Sequence, residues 1–368
     1  MRTTKLIWTI VGAVTVVLLL AGVGIVAALR GGDDEPDPQA APGPGAASAL
    51  PAPPSATSPA PSPGADITGP LDLLVIGVDT RVSIPDWQPH ADAIMVMHIN
   101  EDLKSGYIYS LPRDLRVDVP AFDANGYGGG RRKLTEAMSS GAKVRGTDKA
   151  DVAQGYELLA KTISDYTGVD GFDAGAILTF DGLSRLTDAL GGVTLKIDQK
   201  VVSQHRRPDG TARKLRPGGG GYTGPQATYL PGTRTLTGWQ AIDYARQRYT
   251  AGGDYTRQRH QRQLVRALLT KAMGAGLPAD LTRAEAVLTA LGDTLVVSGD
   301  RNAIEYAYAL RDLDPSRLTL VGLPGDSVIN NGRYIGEQLT PVGRGFLKAA
   351  AAGTPEAYLA DHPKLINK

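Results

Sequence analysis

Apolar residues recur along this chain in three ways, and each predicts a different kind of segment. Leu6 to Leu29 is unbroken and uncharged, and at about 1.5 Å per residue it is long enough to cross the roughly 30 Å hydrocarbon layer of a membrane. Leu71–Val78 (LDLLVIGV) is a shorter run that ends at Asp79-Thr80-Arg81, which predicts a buried strand entering a polar loop. Ala93–Asn100 (AIMVMHIN) and Gly106–Pro112 (GYIYSLP) flank the polar EDLKS, a spacing that predicts an antiparallel hairpin. In that register opposed residue numbers sum to about 205, so Asp92 faces Arg113. A first strand parallel to the second hairpin strand brings Asp79 to the same rim, the edge where α/β sheets bind ligands.

Elsewhere the spacing is helical. Val152, Tyr156, Leu159, Ile163 and Tyr166 form one stripe that Gly168 ends. Phe180–Leu190 reads as a helix followed by Gly191-Gly192 and the strand-like VTLKI. After Tyr255, Arg257 and Gln261 share a stripe with Leu264, Val265, Leu268 and Ala272 and should point inward, while Arg259 and Arg266 face solvent and Arg262 lies on the flank. Beyond Ala275 come a helix (Arg283 to Leu291), a strand-like Leu318–Pro324 and a polar tail. This alternation predicts an α/β fold: a central mixed β-sheet flanked by helices on both faces, preceded by one transmembrane helix.

The flanks of the long apolar run set its orientation. Arg2 and Lys5 precede it, and Arg30 is followed by Asp33, Asp34 and Glu35, so the positive-inside rule puts the N-terminus in the cytoplasm and the rest outside a cell membrane crossed once. The alternative is a cleaved signal peptide, whose apolar core is shorter, about 7–15 residues. Residues 30–66 are rich in Pro, Ala, Gly and Ser, the composition of an extended linker rather than a core. The expected layout is a cytoplasmic tail (1–5), an anchor (6–29), a linker (30–66), a catalytic domain (67–345) and a C-terminal tail (346–368).

Charge matters only locally, because Lys+Arg 39 against Asp+Glu 38 leaves a formal charge of +1. The balance gives no reason to expect a nucleic-acid partner. The absence of cysteine removes disulfides and thiolate chemistry, and the five histidines show no metal-ligand spacing. Between Arg234 and Arg266, however, Arg234, Arg246, Arg248, Arg257, Arg259, Arg262 and Arg266 stand against only Asp243 and Asp254. An inward arginine is costly without an anion. Arg246 and Arg248 share a face with fork geometry suited to phosphate if ARQRY is extended. Either the two acids neutralise these groups internally or an external polyanion does, and their number favours the polyanion. The glycine-rich His205–Gly224 stretch lacks the G-K-[ST] of a phosphate-binding loop and reads as a flexible surface loop.

The motifs VIGVDTR, HADAIMV, SLPRDLRV, RKLTEAM, GFDAGAILTFDGLSRLTDALGGV, LPGTRTLTGWQAIDYARQR and GDYTRQRHQRQ, spread over Leu71 to Met273, resemble the LytR-CpsA-Psr (LCP) proteins of bacterial cell envelopes. The resemblance implies a phosphotransferase that moves a cell-wall glycopolymer from an undecaprenyl-pyrophosphate carrier to peptidoglycan through a phosphodiester, with Mg2+-dependent (or Mn2+-dependent) pyrophosphatase activity. It implies metal-binding and catalytic roles for Asp79 and Asp92, and catalytic roles for Arg113 and Arg257. Pyrophosphate binding falls to Arg81, Arg113, Lys133, Arg246, Arg248, Arg257 and Gln261, with Asp254 in support. His260 stands where many members have arginine. The rival readings are a polyprenyl-phosphate-binding module without turnover and a membrane-bound transcriptional regulator.

Overall fold

The computed structural model describes residues 63–79, 88–280, 282, 295–299, 301 and 303–367. The expected anchor, most of the linker, Arg81 and the helix expected from Arg283 to Leu291 lie outside them. Among the described residues no helix is long and apolar enough to cross a membrane.

Seven strands form a mixed sheet: β1 (Leu71–Asp79), β2 (His90–Ile99), β3 (Gly106–Ser110), β4 (Ala174–Thr179), β5 (Leu295–Gly299), β6 (Leu318–Val321) and β7 (Ile366–Asn367), in the order β5-β4-β1-β2-β3-β6-β7. The predicted hairpin is β2–β3, and Met95 pairs with Ser110 and Val96 with Tyr109, in the predicted register. Because β1 and β3 both run antiparallel to β2, they share a direction and end at one rim. β4 extends the sheet in parallel beside β1, and β6 does so beside β3.

Strand alternation splits the apolar side chains between two cores. Leu73, Val75, Met95, Met97 and Ile108 pack with helices α3 (Phe180–Ala189), α4 (Gly238–Arg246) and α5 (Gly253–Gly274). Leu74, Ile76, Ile94, Val96 and Tyr109 face the other way, onto α1 (Leu134–Gly141), α2 (Val152–Thr167) and α7 (Pro341–Ala351). Between α5 and α7 lies α6 (Ala303–Ala309), and α8 (Pro355–Asp361) follows α7. The stripe read from Val152 to Tyr166 is α2, whose start Asp151 caps by accepting from the Gln154 N–H and whose end is Gly168 at φ 81.

Three expectations change. VTLKI does form a strand, Val193–Ile197, but it pairs with Gly232–Leu236 in a separate ribbon instead of joining the sheet. The His205–Gly224 stretch is organised around a buried guanidinium: Arg213 donates to the carbonyls of Gln204, Tyr222 and Gly224, and Lys214–Leu215 pairs with Tyr222–Thr223. The tail expected from residue 346 is part of the fold. Its boundary falls inside α7, Phe346 is fully buried, and β7 closes the sheet edge beside β6.

Candidate functional site

The rim where β1 and β3 end, together with the start of α5, encloses a pocket of about 380 Å³. Of the residues proposed from sequence, Asp92, Arg113, Lys133, Arg246, Arg248, Arg257 and Gln261 all line it. The hairpin supplies the first pair: Arg113 Nη1 donates to Asp92 Oδ1, as the register required. Burial opposes the Arg113 charge, but Asp92, with Asp114 and Asp254 beyond it, more than offsets this and holds the guanidinium pKa above its ordinary value.

Lys133 is the N-cap residue of α1, and the first turn of that helix is tied to the arginine segment by the Leu134 N–H to Leu115 O (2.8 Å) and the Thr135 N–H to Arg113 O (2.9 Å). Its ammonium lies 3.4 Å from Asp114 Oδ1 and over the Tyr334 ring, 4.9 Å from the centroid. Tyr334 in turn donates to Asp114 Oδ2 at 3.1 Å.

Arg257 is 5% exposed and points inward, as the helical phase predicted. Its Nη2 contacts Asp254 Oδ1 at 2.8 Å and donates to the Asp92 carbonyl at 3.1 Å, and its buried Nε has no hydrogen-bond partner among the described residues. Desolvation lowers its pKa, with Asp254 and, more weakly, Asp92 opposing and Arg113 adding to the effect. One of the two nearby acids therefore does neutralise an arginine. The other, Asp243, accepts hydrogen bonds from the neutral side chains of Ser203, Tyr229 and Gln247.

Arg246 and Arg248 reach the pocket by a route other than the extended ARQRY expected. Arg246 closes α4, and Gln247 leaves the helix with ψ 124, its amide turned back onto the Asp243 carbonyl at 2.9 Å. The guanidinium of Arg246 lies 3.9 Å from the centroid of the Phe180 ring. Arg248 is exposed beside Tyr249.

Two arginines assigned to solvent are half-buried. Arg259 pairs with Asp198, and Arg266 lies toward the Leu318 carbonyl. Arg262, placed on the flank, is 2% exposed. None of the three lines the pocket. His260 is fully buried, stacked on Tyr244 and hydrogen-bonded to Asp198, also away from it.

The backbone of Asp79 pairs with pocket-lining His90 at the end of β1. Asp114, Glu136 and His205 also line the pocket and were not anticipated. Asp114 adjoins Arg113 in SLPRDLRV and Glu136 lies within RKLTEAM, so both were within quoted motifs. His205 carried no local signal; burial, reinforced by Arg246, pushes its pKa down and keeps the ring neutral.

Among the described residues no group of three or more His, Cys, Asp or Glu gathers at one point. Arg113 engages Oδ1 of Asp92, leaving Oδ2 for a cation. A cation there would meet one or two carboxylates at most, the number Mg2+ takes when water and phosphate oxygens complete its shell.

Behind the basic pocket lies an apolar cleft formed by Val75, Ala93, Met95, Leu183, Ile242, Leu264 and Val265, and the two share Phe180, Arg246 and Gln261 as walls. A polar, cation-rich pocket thus adjoins a small apolar cleft of about 40 Å³ on the face of the sheet, with those three side chains between them.

The family model described as LytR_cpsA_psr matches residues 52–341. Biofilm regulatory protein A of Streptococcus mutans is 27% identical over 209 residues, 55% of this chain and 44% of that protein. Cell wall biosynthesis protein LcpA of Corynebacterium glutamicum is 24% identical, over 74% of this chain and 53% of its own length. The chain thus spans about half the length of these two curated relatives. The Enterococcus faecalis protein named polyisoprenyl-teichoic acid–peptidoglycan teichoic acid transferase TagU is 24% identical over 70% of this chain and 73% of its own. In fold, the chain is similar to protein gbs0355 of Streptococcus agalactiae (TM-score 0.60, 22% identity, 78% of this chain and 88% of that one). It is also similar to TagT bound to LIIa-WTA (TM-score 0.55, 21% identity, 78% and 91%). With the family model spanning most of its length and its fold shared with these structures, the chain belongs to the LytR-CpsA-Psr (LytR_cpsA_psr) family.

Proposed function

We propose that the rim pocket transfers a cell-wall glycopolymer from an undecaprenyl-pyrophosphate carrier to peptidoglycan. The observation that carries this reading is the adjacency of a basic pocket to an apolar cleft across Phe180, Arg246 and Gln261, a polarity suited to a pyrophosphate with a hydrocarbon tail, although the cleft, at about 40 Å³, must widen to admit more than the start of that tail. Relatives named as teichoic acid transferases support the same class of donor and acceptor.

Phosphoryl transfer needs alignment and charge neutralisation more than covalent help from the protein. In the proposed reaction an acceptor hydroxyl oxygen attacks the phosphorus that bears the glycopolymer, and the bond from that phosphorus to the bridging oxygen breaks. The carrier leaves as its monophosphate, and the hydroxyl proton passes to a pocket carboxylate, of which Asp92, Asp114 and Glu136 are at hand. Arg113, Arg246, Arg248, Arg257 and Lys133 hold the pyrophosphate oxygens, and Gln261 adds an amide. Mg2+ or Mn2+ held by Asp92 and Asp79 would supply further charge to those oxygens. Arg81, at the end of VIGVDTR, is proposed to reach the same phosphates. An anchor over residues 6–29 would keep the pocket beside the membrane that holds the carrier.

The full chain in detergent micelles with Mg2+ should release phosphate from a polyprenyl pyrophosphate and join labelled glycopolymer to peptidoglycan. Arg257→Ala should lower the rate at least about a hundredfold, as loss of one transition-state donor does. Tight retention of the lipid with no turnover would show the binding module instead. The regulator reading needs an outward Arg257, and that side chain is buried.

A further inference from the structure

The opposite side of α5 carries a second cation that the transfer reaction does not use. Arg262 is 2% exposed, and its Nη2 donates to Asn367 Oδ1 in β7. Its Nε and Nη1 are buried with no hydrogen-bond partner among the described residues. A structural arginine in this fold is treated differently: Arg213, also buried, donates from Nε, Nη1 and Nη2 to backbone carbonyls. Burial, with Arg259 nearby, pushes the Arg262 pKa down to about 9. A guanidinium left in that condition costs the fold stability unless an anion completes it.

Arg262 borders a cavity of about 790 Å³ between α5 and the segment that follows α8. Lys364 and Arg259 line the same cavity, although Arg259 is taken up by Asp198. One carboxylate, Asp361, also lies on its wall. Leu323, Val342 and Leu365 make part of the lining apolar. Gly322 keeps room beside the guanidinium: a Cβ there would lie 3.3 Å from Arg262 Nη2 and 3.0 Å from Asn367 Oδ1. The cavity shares no lining residue with the rim pocket, whose α5 contacts are Arg257 and Gln261.

We propose that this cavity is a second binding site, for a phosphate or carboxylate oxyanion carried on a small, partly apolar body, with Arg262 as its buried anchor and Lys364 at its mouth. The guanidinium, whose buried Nε and Nη1 have no hydrogen-bond partner among the described residues, supplies the charge that draws the oxyanion, and the apolar wall takes the rest of the ligand.

Calorimetric titration of the full chain in micelles with n-propyl phosphate and, separately, butyrate tests this, with n-butanol as the neutral control. One or both anions should bind saturably and the alcohol should not, and the comparison tells which oxyanion the site prefers. Arg262→Gln should weaken binding about tenfold or more, the loss of a charge-assisted contact. Lys364→Glu, an exposed position that leaves the interior intact, should weaken it at least about threefold. Binding should persist when Arg246 and Arg257 are both replaced by Gln, which removes the rim pocket as the source of the signal and separates this proposal from the transfer reaction. If Arg262→Gln does not fold, Lys364→Glu and the rim-pocket variant still decide. Absence of anion binding in the full chain, loss of all binding with the rim-pocket variant, or unchanged affinity in Lys364→Glu overturns the proposal.

Discussion

The contact between Asp92 and Arg113 shows how one side chain can be read from sequence and still acquire its meaning from its surroundings. On an exposed hairpin such a cross-strand pair contributes about 0.2–1 kcal/mol. Here the side chains are 14% and 24% exposed, and Arg257 also donates to the Asp92 carbonyl, so the pair belongs to a partly buried network at the pocket wall. A double-mutant cycle with Asp92→Asn and Arg113→Gln, read by urea denaturation, should give a coupling of about 1–3 kcal/mol. A value near zero would return the pair to the status of an ordinary surface contact. Asp254 plays the matching part for Arg257. Its replacement by Asn leaves a guanidinium that is 5% exposed without its carboxylate and should cost roughly 1–3 kcal/mol, allowing for the partial exposure of Asp254 itself.

Among the elements, α5 serves three surroundings at once. Arg257 and Gln261 border the rim pocket, Leu264, Val265 and Leu268 enter the core, and His260 stacks on Tyr244 of α4 at 4.3 Å between ring centroids. Burial pushes the His260 pKa below its ordinary value, and Asp198 only partly opposes this. The folded protein therefore prefers the neutral ring, and the unfolded chain takes up the proton first as pH falls. This contribution to stability is whole above roughly pH 6.5 and is lost as pH falls through the lower folded-state value. His205, depressed in the same direction, adds to the trend. The urea midpoint should thus decline between about pH 7 and pH 5, and His260→Gln, which can still hydrogen-bond Asp198, should flatten that decline. An identical slope in the variant would assign the pH dependence to other groups.

At the scale of the whole molecule, the two faces of the sheet hold separate cores, and residues 346–367 finish one of them. Phe346 packs edge-on against Tyr107 and Tyr109, and β7 covers the β6 edge. Ending the chain at residue 345 should therefore remove more than a tail: burial of a Phe side chain alone is worth about 1.5–3 kcal/mol. Such a chain should unfold at markedly lower urea than the full chain, and an unchanged midpoint would restore the expected boundary. What the sequence determined by itself was short-range and periodic. Helical phase alone put Arg257 and Gln261 inward on α5, hairpin register opposed Asp92 to Arg113, and the motifs over Leu71 to Met273 carried the family. These follow from backbone geometry within a few turns or one β-hairpin. The tertiary structure decided which remaining faces are covered. Arg262 is on the flank of its helix by phase, yet the returning C-terminal segment buries it. Arg259 looks solvated until Asp198 arrives from a distant loop, and His205 joins the rim pocket from a stretch with no signal of its own. Such burial depends on contacts between segments far apart in the chain, to which local periodicity is blind.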